Sequence, residues 1–241
     1  MKKLVLIHGW GFSSAIFSEF ASQLRGEISG EFEVELIDLP GYGENDAECP
    51  AALQDVGAKI MPKIANDSVV VGWSLGGLVA LQLAIDFPKK VEQLIMLAAT
   101  PCFVQKADWR IAADTELSAQ FYQQVEEKGS LAVNGFYKQL AAMEQQPRNV
   151  LQEIKQQGKC CAEKDTLLRS LEILHSTDLR QQLPSIHKKI TWIYGDNDQL
   201  VPAQTDLPTS NSCIEVITGA GHIPFMSQQE KCLHLIKEAV N

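Results

Sequence analysis

Residues 69–84 read VVVGWSLGGLVALQLA, and this stretch decides the fold. Three valines lead into Gly72, and an apolar segment without charges follows Gly76. A β-branched run that ends in glycine before an apolar, helix-length segment predicts a buried strand, a sharp turn and a helix. Ser74 lies between the two glycines, at the carboxyl end of the predicted strand and the N-terminus of the predicted helix.

The same pattern recurs along the chain. Predicted strands cover residues 3–7, 32–38, 68–72, 92–98, 189–195 and 213–218, and predicted helices cover 13–26, 76–88 and 229–240. Strands that alternate with helices predict βαβ units, right-handed crossovers and a mostly parallel sheet. We therefore expect an α/β fold with a sheet of about six strands flanked by helices.

Residues 103–188 interrupt this alternation between the fourth and fifth strands. The segment is long, polar and helix-prone, and it contains no convincing strand. We interpret it as a helical lid inserted into one core, which residues 1–102 and 189–241 form. A chain of 241 residues that is 45% hydrophobic is large enough for one substantial core with such an insertion.

Charge and cysteine content disfavour several classes of protein. The 21 basic and 30 acidic residues give a net charge of −9, which opposes binding to nucleic acid or anionic membranes. Six cysteines lack metal spacing, and the neighbours Cys160 and Cys161 do not suit a disulfide framework, so we expect free thiols in a reducing compartment. The apolar run at residues 4–7 is too short for a signal peptide, and no window approaches the roughly 20 apolar residues of a membrane span. We expect a cytoplasmic monomer without a membrane partner.

The motif GWSLGG at residues 72–77 gives Ser74 a chemical role. Gly72 and Gly76 lie where a larger side chain would collide with the neighbouring strand and helix. This is the Gly-x-Ser-x-Gly nucleophile elbow, in which a sharp turn presents the serine oxygen above the sheet. A serine that merely caps the helix is the alternative. The preceding strand and the apolar helix favour a nucleophile.

A serine nucleophile needs a base, and the base needs an acid that orients it. At this type of elbow the acid and then the histidine follow the serine in the chain, each in a loop after a strand. His222 lies in the glycine-rich loop GAGHIPF, after the sixth predicted strand, and we predict it to be the base. The other histidines lie elsewhere in the pattern: His8, His175, His187 and His234.

Two aspartates compete for the role of the acid. Asp196 and Asp198 both lie in DNDQLVP, after the fifth predicted strand. Asp198 is two residues further out, where a turn aims it at the histidine, whereas Asp196 suits a turn that bonds its own backbone. We choose Asp198.

The oxyanion that develops during acyl transfer needs two backbone donors. One is the amide of Leu75, directly after the nucleophile, and the other comes from the loop HGWG after the first strand, where Trp10 is the candidate. The indole of Trp10 would also wall the pocket, while His8 and Gly9 hold the loop. A simple tight turn is the alternative interpretation of HGWG.

Seven segments in this order resemble the pimeloyl-[acyl-carrier protein] methyl ester esterases of biotin synthesis, within the α/β-hydrolase superfamily: LIHGWG, DLPGYG, GWSLGGLVA, TPCF, LEILHSTDLRQQLP, IYGDNDQLVP and AGHIPF. The resemblance implies a serine esterase that cuts the methyl ester of a pimeloyl chain held on acyl carrier protein. The mechanism requires no metal or cofactor. The N-terminal β-hairpin of many α/β-hydrolases is missing from this sequence, and for that reason we expect only about six strands.

An acidic carrier protein would be expected to meet basic residues on the lid. Residues 105–182 contain ten basic and eleven acidic side chains, so the insertion as a whole is not basic. Residues 138–169 contain six basic against four acidic ones, and Arg148, Lys155 and Lys159 are spaced near helical periods. An ordinary solvated helix is the alternative explanation.

The lid should also line an acyl channel. Phe136, Leu140 and Met143 lie at helical spacing, and the resemblance places Phe136 in a substrate-contacting stretch. Residues at that spacing also pack cores, so this alternative stays open. Further candidates for pocket walls are Trp73, Phe103 and Trp109.

Three rival functions share these residues. A broad-specificity short-chain carboxylesterase differs only in its preference for free esters. A lyase like that of the menaquinone pathway would use the same triad to abstract a proton. A ligand receptor on a hydrolase scaffold would bind without turnover.

Overall fold

The computed structural model describes residues 1–158, 162–204, 207, 209 and 211–241. Within these residues the strands are β1 (Lys2–Ile7), β2 (Phe32–Ile37), β3 (Ser68–Trp73), β4 (Val91–Leu97), β5 (Lys189–Gly195) and β6 (Ser212–Ile217). The helices are α1 (Ser18–Glu27), α2 (Leu53–Ile60), α3 (Leu75–Asp86), α4 (Thr115–Lys128), α5 (Ser130–Ala142), α6 (Pro147–Gln157), α7 (Lys164–Ser176), α8 (Pro224–Ser227) and α9 (Gln229–Val240).

The strands form one sheet in the order β2-β1-β3-β4-β5-β6. Every strand pairing among the described residues is parallel. At the centre, Val70 of β3 lies beside Val5 on one side and Leu94 on the other, and all six residues of β3 are buried. Parallel sheets have both faces covered by helices, so their strands are apolar throughout. The prediction of a mostly parallel sheet of six strands is confirmed.

Helix α3 follows the central strand and is buried along almost its whole length. Ten of its twelve residues are buried, and it packs against α2 and against β3. A helix that is hydrophobic all round belongs in a protein core rather than on a surface. This burial fixes the first turn of α3, and therefore the turn that carries Ser74.

The insertion between β4 and β5 contains α4, α5, α6 and α7, as the sequence predicted. Its first part is not helical, since isolated bridges join Val104 to Ala113 and Lys106 to Trp109. The division into a core of residues 1–102 and 189–241 and a lid of residues 103–188 stays a prediction. Cys160 and Cys161 lie outside the described residues, and the cysteines at positions 49, 102, 213 and 232 are free thiols.

Across the part of the chain that the structure describes, no helix combines the length and apolarity needed to cross a membrane.

Candidate active site

Ser74 occupies the turn between β3 and α3 in a strained backbone conformation. Its φ is 54° and its ψ is −118°, a combination that non-glycine residues adopt at a cost of about 1–3 kcal/mol. The backbone holds this conformation because the Ser74 amide donates to Leu97 O at 3.0 Å and the Gly77 amide donates to Ser74 O at 2.9 Å. The turn therefore has the geometry of a nucleophile elbow, with the hydroxyl raised above the end of the sheet.

The glycines around the elbow leave no space for a side chain. A Cβ on Gly72 would lie 2.5 Å from Gly76 O, and a Cβ on Gly76 would collide with the carbonyl oxygens of Ile7 and His8. These carbonyls belong to the neighbouring strand and loop, which are fixed in the sheet. The two glycines thus allow β1, β3 and α3 to approach closely enough to form the turn.

Ser74, His222 and Asp198 form one hydrogen-bonded array. Ser74 Oγ lies 3.0 Å from His222 Nε2, and His222 Nδ1 donates to Asp198 Oδ2 at 2.8 Å. All three side chains are at most 5% exposed. Because an ionised carboxylate only accepts hydrogen bonds, Asp198 fixes the proton of neutral His222 on Nδ1 and leaves Nε2 free to accept from the serine.

The loop after β5 distinguishes the two candidate aspartates. Asp198 Oδ1 accepts from the amides of Leu200 and Val201, both at 2.9 Å, which fixes the carboxylate while Oδ2 faces the histidine. Asp196 is exposed and accepts from the amide of Gly219 at 2.7 Å. The expectation that Asp196 bonds its own backbone is wrong, since it bridges to the neighbouring loop.

Trp73 packs beneath His222 rather than on the cavity wall. Its side chain is 1% exposed, and its indole Nε1 donates to the backbone carbonyl of His222 at 2.8 Å. The sequence interpretation of Trp73 as a pocket wall is wrong. The side chains of a strand alternate between its two faces, and the side chain at position 73 points into the core next to His222.

Two backbone N–H groups lie near the serine without a protein acceptor. Leu75 is the first residue of α3, and an amide at that position has no intrahelical partner. The amide of Trp10 donates to no acceptor among the described residues. Gly9 brings the Trp10 loop close to the elbow, since a Cβ there would lie 3.1 Å from Ser74 Cβ. Two free donors beside a serine oxygen suit a developing oxyanion.

His8 holds the loop that carries Trp10. Its Nδ1 donates to Gly9 O at 2.8 Å, and its Nε2 accepts from the Leu39 amide at 3.0 Å. Burial lowers the pKa of His8 from 6.5 to about 4, while the Gly9 hydrogen bond and the charge of Asp38 oppose that shift. His8 is therefore neutral at pH 7, and it fastens the loop after β1 to the loop after β2.

A cavity of about 240 Å³ opens beside Ser74 under the inserted helices. Its walls are mostly apolar and aromatic, and they include Trp10, Phe103, Phe121, Phe136 and Leu174. Among the described residues, no acidic side chain and no lysine or arginine lines the cavity. Burial lowers the pKa of His175, which also lines the cavity, and so favours the neutral form of this side chain. The site is shaped for an uncharged, apolar group.

Some of the residues predicted to form the cavity wall line the cavity, and others do not. Phe136 lines the cavity and makes an edge-to-face contact with the indole of Trp10, with a ring-centroid distance of 5.3 Å. Phe103 also lines it, whereas Leu140 is fully buried in the core. Trp109 does not line the cavity: its Nε1 donates to Cys102 O at 2.9 Å and Arg180 covers its ring.

Sequence reasoning missed much of the lid side of the cavity. Leu117 and Phe121 of α4, and Leu171, Leu174 and His175 of α7, all line it. Their spacing of three or four residues is the signal that was available, because it places each set on one face of a helix. That spacing does not say whether the face meets a core or a cavity.

The predicted basic face lies partly within the described residues. Arg148 and Lys155 are both exposed on α6, whose buried face carries Val150 and Ile154. Lys159 lies outside the described residues. Within the part of the chain that the structure describes, no three His, Cys, Asp or Glu side chains are grouped to hold a metal ion.

The sheet, the elbow and the serine–histidine–aspartate array define a protein of the α/β-hydrolase class. The family model described as the alpha/beta hydrolase family matches residues 4–234, and the chain belongs to this family. The α/β-hydrolase superfamily inferred from the sequence motifs is thereby confirmed.

Curated relatives of similar length are named pimeloyl-[acyl-carrier protein] methyl ester esterase. The one from Xylella fastidiosa (strain M23) is 37% identical over 236 residues, which cover 93% of this chain and 89% of the relative. The one from Pectobacterium atrosepticum is 34% identical and covers 94% of this chain and 89% of its own. Among solved structures, an esterase from Exiguobacterium antarcticum superposes with a TM-score of 0.83 at 21% identity, covering 100% of this chain and 92% of that one.

Proposed function

We propose that this protein is a serine carboxylesterase that hydrolyses the methyl ester of a pimeloyl chain carried on acyl carrier protein. The products are methanol and the carrier-bound chain with a free distal carboxylate, an esterase step in biotin synthesis. The observation that carries the proposal is the array of Ser74, His222 and Asp198 at the end of an uncharged apolar cavity. Relatives named for this reaction, similar over nearly the whole chain, support the choice of substrate.

Ser74 is the nucleophile of this mechanism, and His222 is its base. His222 Nε2 takes the hydroxyl proton as Ser74 Oγ attacks the ester carbonyl. Asp198 keeps the imidazole in the required tautomer and stabilises the imidazolium that forms. The proton then passes from His222 to the departing methoxide oxygen, and methanol leaves an acyl-enzyme. A water molecule activated by His222 hydrolyses this intermediate in the same way.

The amides of Trp10 and Leu75 hold the oxyanion in both half-reactions. Preorganised donors of this kind stabilise the charge that develops in the transition state, and removal of one such donor costs about 2.7–4 kcal/mol. Both donors belong to the backbone, so their position depends on the loop held by His8 and on the first turn of α3.

The character of the cavity agrees with an ester as substrate and an acid as product. The methyl ester and the methylene chain are uncharged, and an apolar wall favours their burial by about 25 cal/mol per Å² of apolar surface. The product carboxylate is charged, and burial of a charge without a partner is costly. Since the lining offers no cation among the described residues, the cavity favours release of the product.

The carrier protein would meet the lid. Arg148 and Lys155 present two exposed cations on α6, which suit an acidic partner, and Lys159 extends the sequence pattern. We infer a transient, salt-sensitive docking of this kind in the cytoplasm by a monomeric enzyme. Charge complementarity of this sort raises the association rate more than the final affinity.

The experiment compares kcat/KM for pimeloyl methyl ester linked to acyl carrier protein with kcat/KM for a free short-chain p-nitrophenyl ester. A clear advantage for the carrier-bound ester that declines at high salt is the expected result. The Ser74→Ala variant is the control, and it should lose turnover by at least about 10⁴-fold while its circular dichroism stays unchanged.

Other outcomes identify the rival functions. An equal or higher kcat/KM for the free ester would identify the protein as a general carboxylesterase. Failure to hydrolyse any simple p-nitrophenyl ester would favour a lyase, and binding without turnover would indicate a receptor. Substantial residual hydrolysis by Ser74→Ala would overturn the assignment of the nucleophile.

A further inference from the structure

Glu144 contacts the loop of the base from the inserted segment. It lies in the connection between α5 and α6, and its side chain is 4% exposed. Its Oε2 accepts from the Gly221 amide at 2.7 Å, and its Oε1 accepts from the Ile223 amide at 2.8 Å. The two oxygens of one carboxylate therefore bind the two amides that flank His222.

Residues 143 and 144 pack tightly against Gly221. A Cβ on Gly221 would lie 2.6 Å from Met143 Cβ and 2.8 Å from Glu144 Oε1, so only glycine fits at that position. Next to it, Gln145 Oε1 accepts from Gln228 Nε2 at 3.3 Å on the surface. The connection between α5 and α6 thus packs directly on the loop that carries the base.

The backbone of His222 is held from two directions. Glu144 binds the amides on either side of it, and the indole of Trp73 donates to its carbonyl. The side chain is in turn held by Asp198. Among the described residues Glu144 has no cationic partner. The hydrogen bonds from the two backbone N–H groups therefore offset the cost of burying its carboxylate.

We propose that Glu144 is a positioning residue for the base, which fixes the His222 backbone so that Nε2 stays within hydrogen-bond distance of Ser74 Oγ. The proposal rests on the catalytic roles assigned to Ser74 and His222 above. If Glu144 has this role, the connection between α5 and α6 helps to hold the active site in place, because its displacement would release the loop that carries His222.

The chemistry of the side chain explains why a carboxylate is present. Two donors converge on it, and an ionised carboxylate offers two acceptor oxygens. Glutamine has nearly the same shape but only one acceptor, and its NH₂ group would face one of the two amides. A buried amide that loses its acceptor is unsatisfied, so the loop would move to find another partner.

The test compares Glu144→Gln with Gln145→Ala. Gln145 is a matched control in the same connection, because its exposed side chain contacts Gln228 and packs over Gly219 but binds neither of the amides that flank His222. Steady-state hydrolysis of p-nitrophenyl acetate separates kcat from KM, and the rate of phosphonylation of Ser74 by a fluorophosphonate reports the nucleophile directly. For Glu144→Gln we expect kcat and the phosphonylation rate to fall about 100-fold per folded molecule with little change in KM, the size of effect that a misplaced catalytic group produces. Gln145→Ala should match the wild type.

Rates of Glu144→Gln within about twofold of the control, at an equal folded fraction, would overturn the proposal. If Glu144→Gln does not fold, amide hydrogen exchange in the wild-type protein decides instead. The Gly221 and Ile223 amides should then be strongly protected from exchange. Exchange at the rate of open loop amides would show that their hydrogen bonds to Glu144 do not persist, and would overturn the proposal.

Assays of the wild-type enzyme distinguish a failure of the positioning role of Glu144 from a failure of the proposed function. A wild-type enzyme that hydrolyses p-nitrophenyl acetate but not the carrier-bound ester refutes the substrate and leaves the test of Glu144 intact. A wild-type enzyme that neither hydrolyses the simple ester nor reacts with the fluorophosphonate refutes the roles of Ser74 and His222, and the positioning role falls with them.

Discussion

Asp198 Oδ2 lies 2.8 Å from Nδ1 of His222, although the two residues are on different loops at the carboxyl ends of adjacent strands. Asp196, two positions earlier, instead accepts from the Gly219 amide. Both carboxylates therefore connect the loop after β5 to the loop after β6, but only Asp198 faces the imidazole of His222. The difference provides a matched pair of variants.

We expect Asp198→Asn to lower kcat by about 10⁴-fold, because an amide in that place no longer enforces the required histidine tautomer. Asp196→Asn should leave kcat close to the wild-type value. Steady-state hydrolysis of a p-nitrophenyl ester by both variants checks this. A larger loss in Asp196→Asn than in Asp198→Asn would reverse the assignment of the acid.

Phe136 and Leu131 form a second pair, on the same helix α5. Phe136 lines the cavity, whereas Leu131 is 71% exposed. Phe136→Ala removes apolar contact with the acyl chain worth about 1.4 kcal/mol, so we expect KM for a six-carbon or longer ester to rise about tenfold. The rise should be smaller for an acetate ester. Leu131→Ala should change neither constant, and equal effects of the two substitutions would remove Phe136 from the binding site.

Gly76 and Gly135 test the close approach at the elbow. Both lie in helices, but a Cβ on Gly76 would meet backbone carbonyls of Ile7 and His8, while a Cβ on Gly135 would meet nothing within 4 Å. We expect Gly76→Ala to lower the free energy of unfolding by about 3 kcal/mol or more. Gly135→Ala should raise it by about 0.5–1 kcal/mol, since alanine favours a helix. Urea denaturation measures the free energy of unfolding of both variants. A Gly76→Ala variant as stable as the wild type would contradict the close packing at the elbow.

The buried, neutral His8 makes the stability of the fold depend on pH. Because its pKa is about 4 in the folded protein and 6.5 in the ordinary state, the unfolded chain binds the extra proton between these two values. The contribution of His8 to stability is therefore complete above about pH 6.5 and is lost as the pH falls to about 4, by about 3 kcal/mol in total.

The measurement is the free energy of unfolding of the wild type and of His8→Gln at several pH values between 4 and 7. The glutamine does not titrate, so the curve for the wild type should fall more steeply with acid than the curve for the variant. Parallel curves would show that His8 does not hold a lowered pKa.

Much of the frame and of the hydrogen-bonded array was predictable from local patterns. The strand, glycine and apolar helix around Ser74 form a continuous signal, and the six strands were recognised by their β-branched runs. Chain order then selected His222, and the turn expected in the loop after β5 favoured Asp198 over Asp196. The strands, the elbow and the turn after β5 each depend on a pattern within a dozen residues, whereas the selection of His222 needed only the order of these motifs along the chain.

The orientation of the aromatic residues was not predictable in this way. Trp73 and Trp109 were expected at the pocket, yet Trp73 lies in the core beneath His222 and Trp109 is covered by Arg180. Phe136 and Leu140 belong to one helix at one spacing, and one lines the cavity while the other is fully buried. Helical spacing groups residues on a face but does not state what covers that face.

The sequence by itself determined the α/β alternation, the place of the insertion and the elbow, and it supplied the candidates for the nucleophile, the acid and the base. Only the tertiary structure decided that Glu144 binds the amides of Gly221 and Ile223, some 77 and 79 residues away along the chain, and that α4 and α7 close the cavity. The physical reason is that turns and secondary structure follow from short-range sterics and hydrogen bonds. Contacts across the fold depend instead on how the finished layers pack against one another.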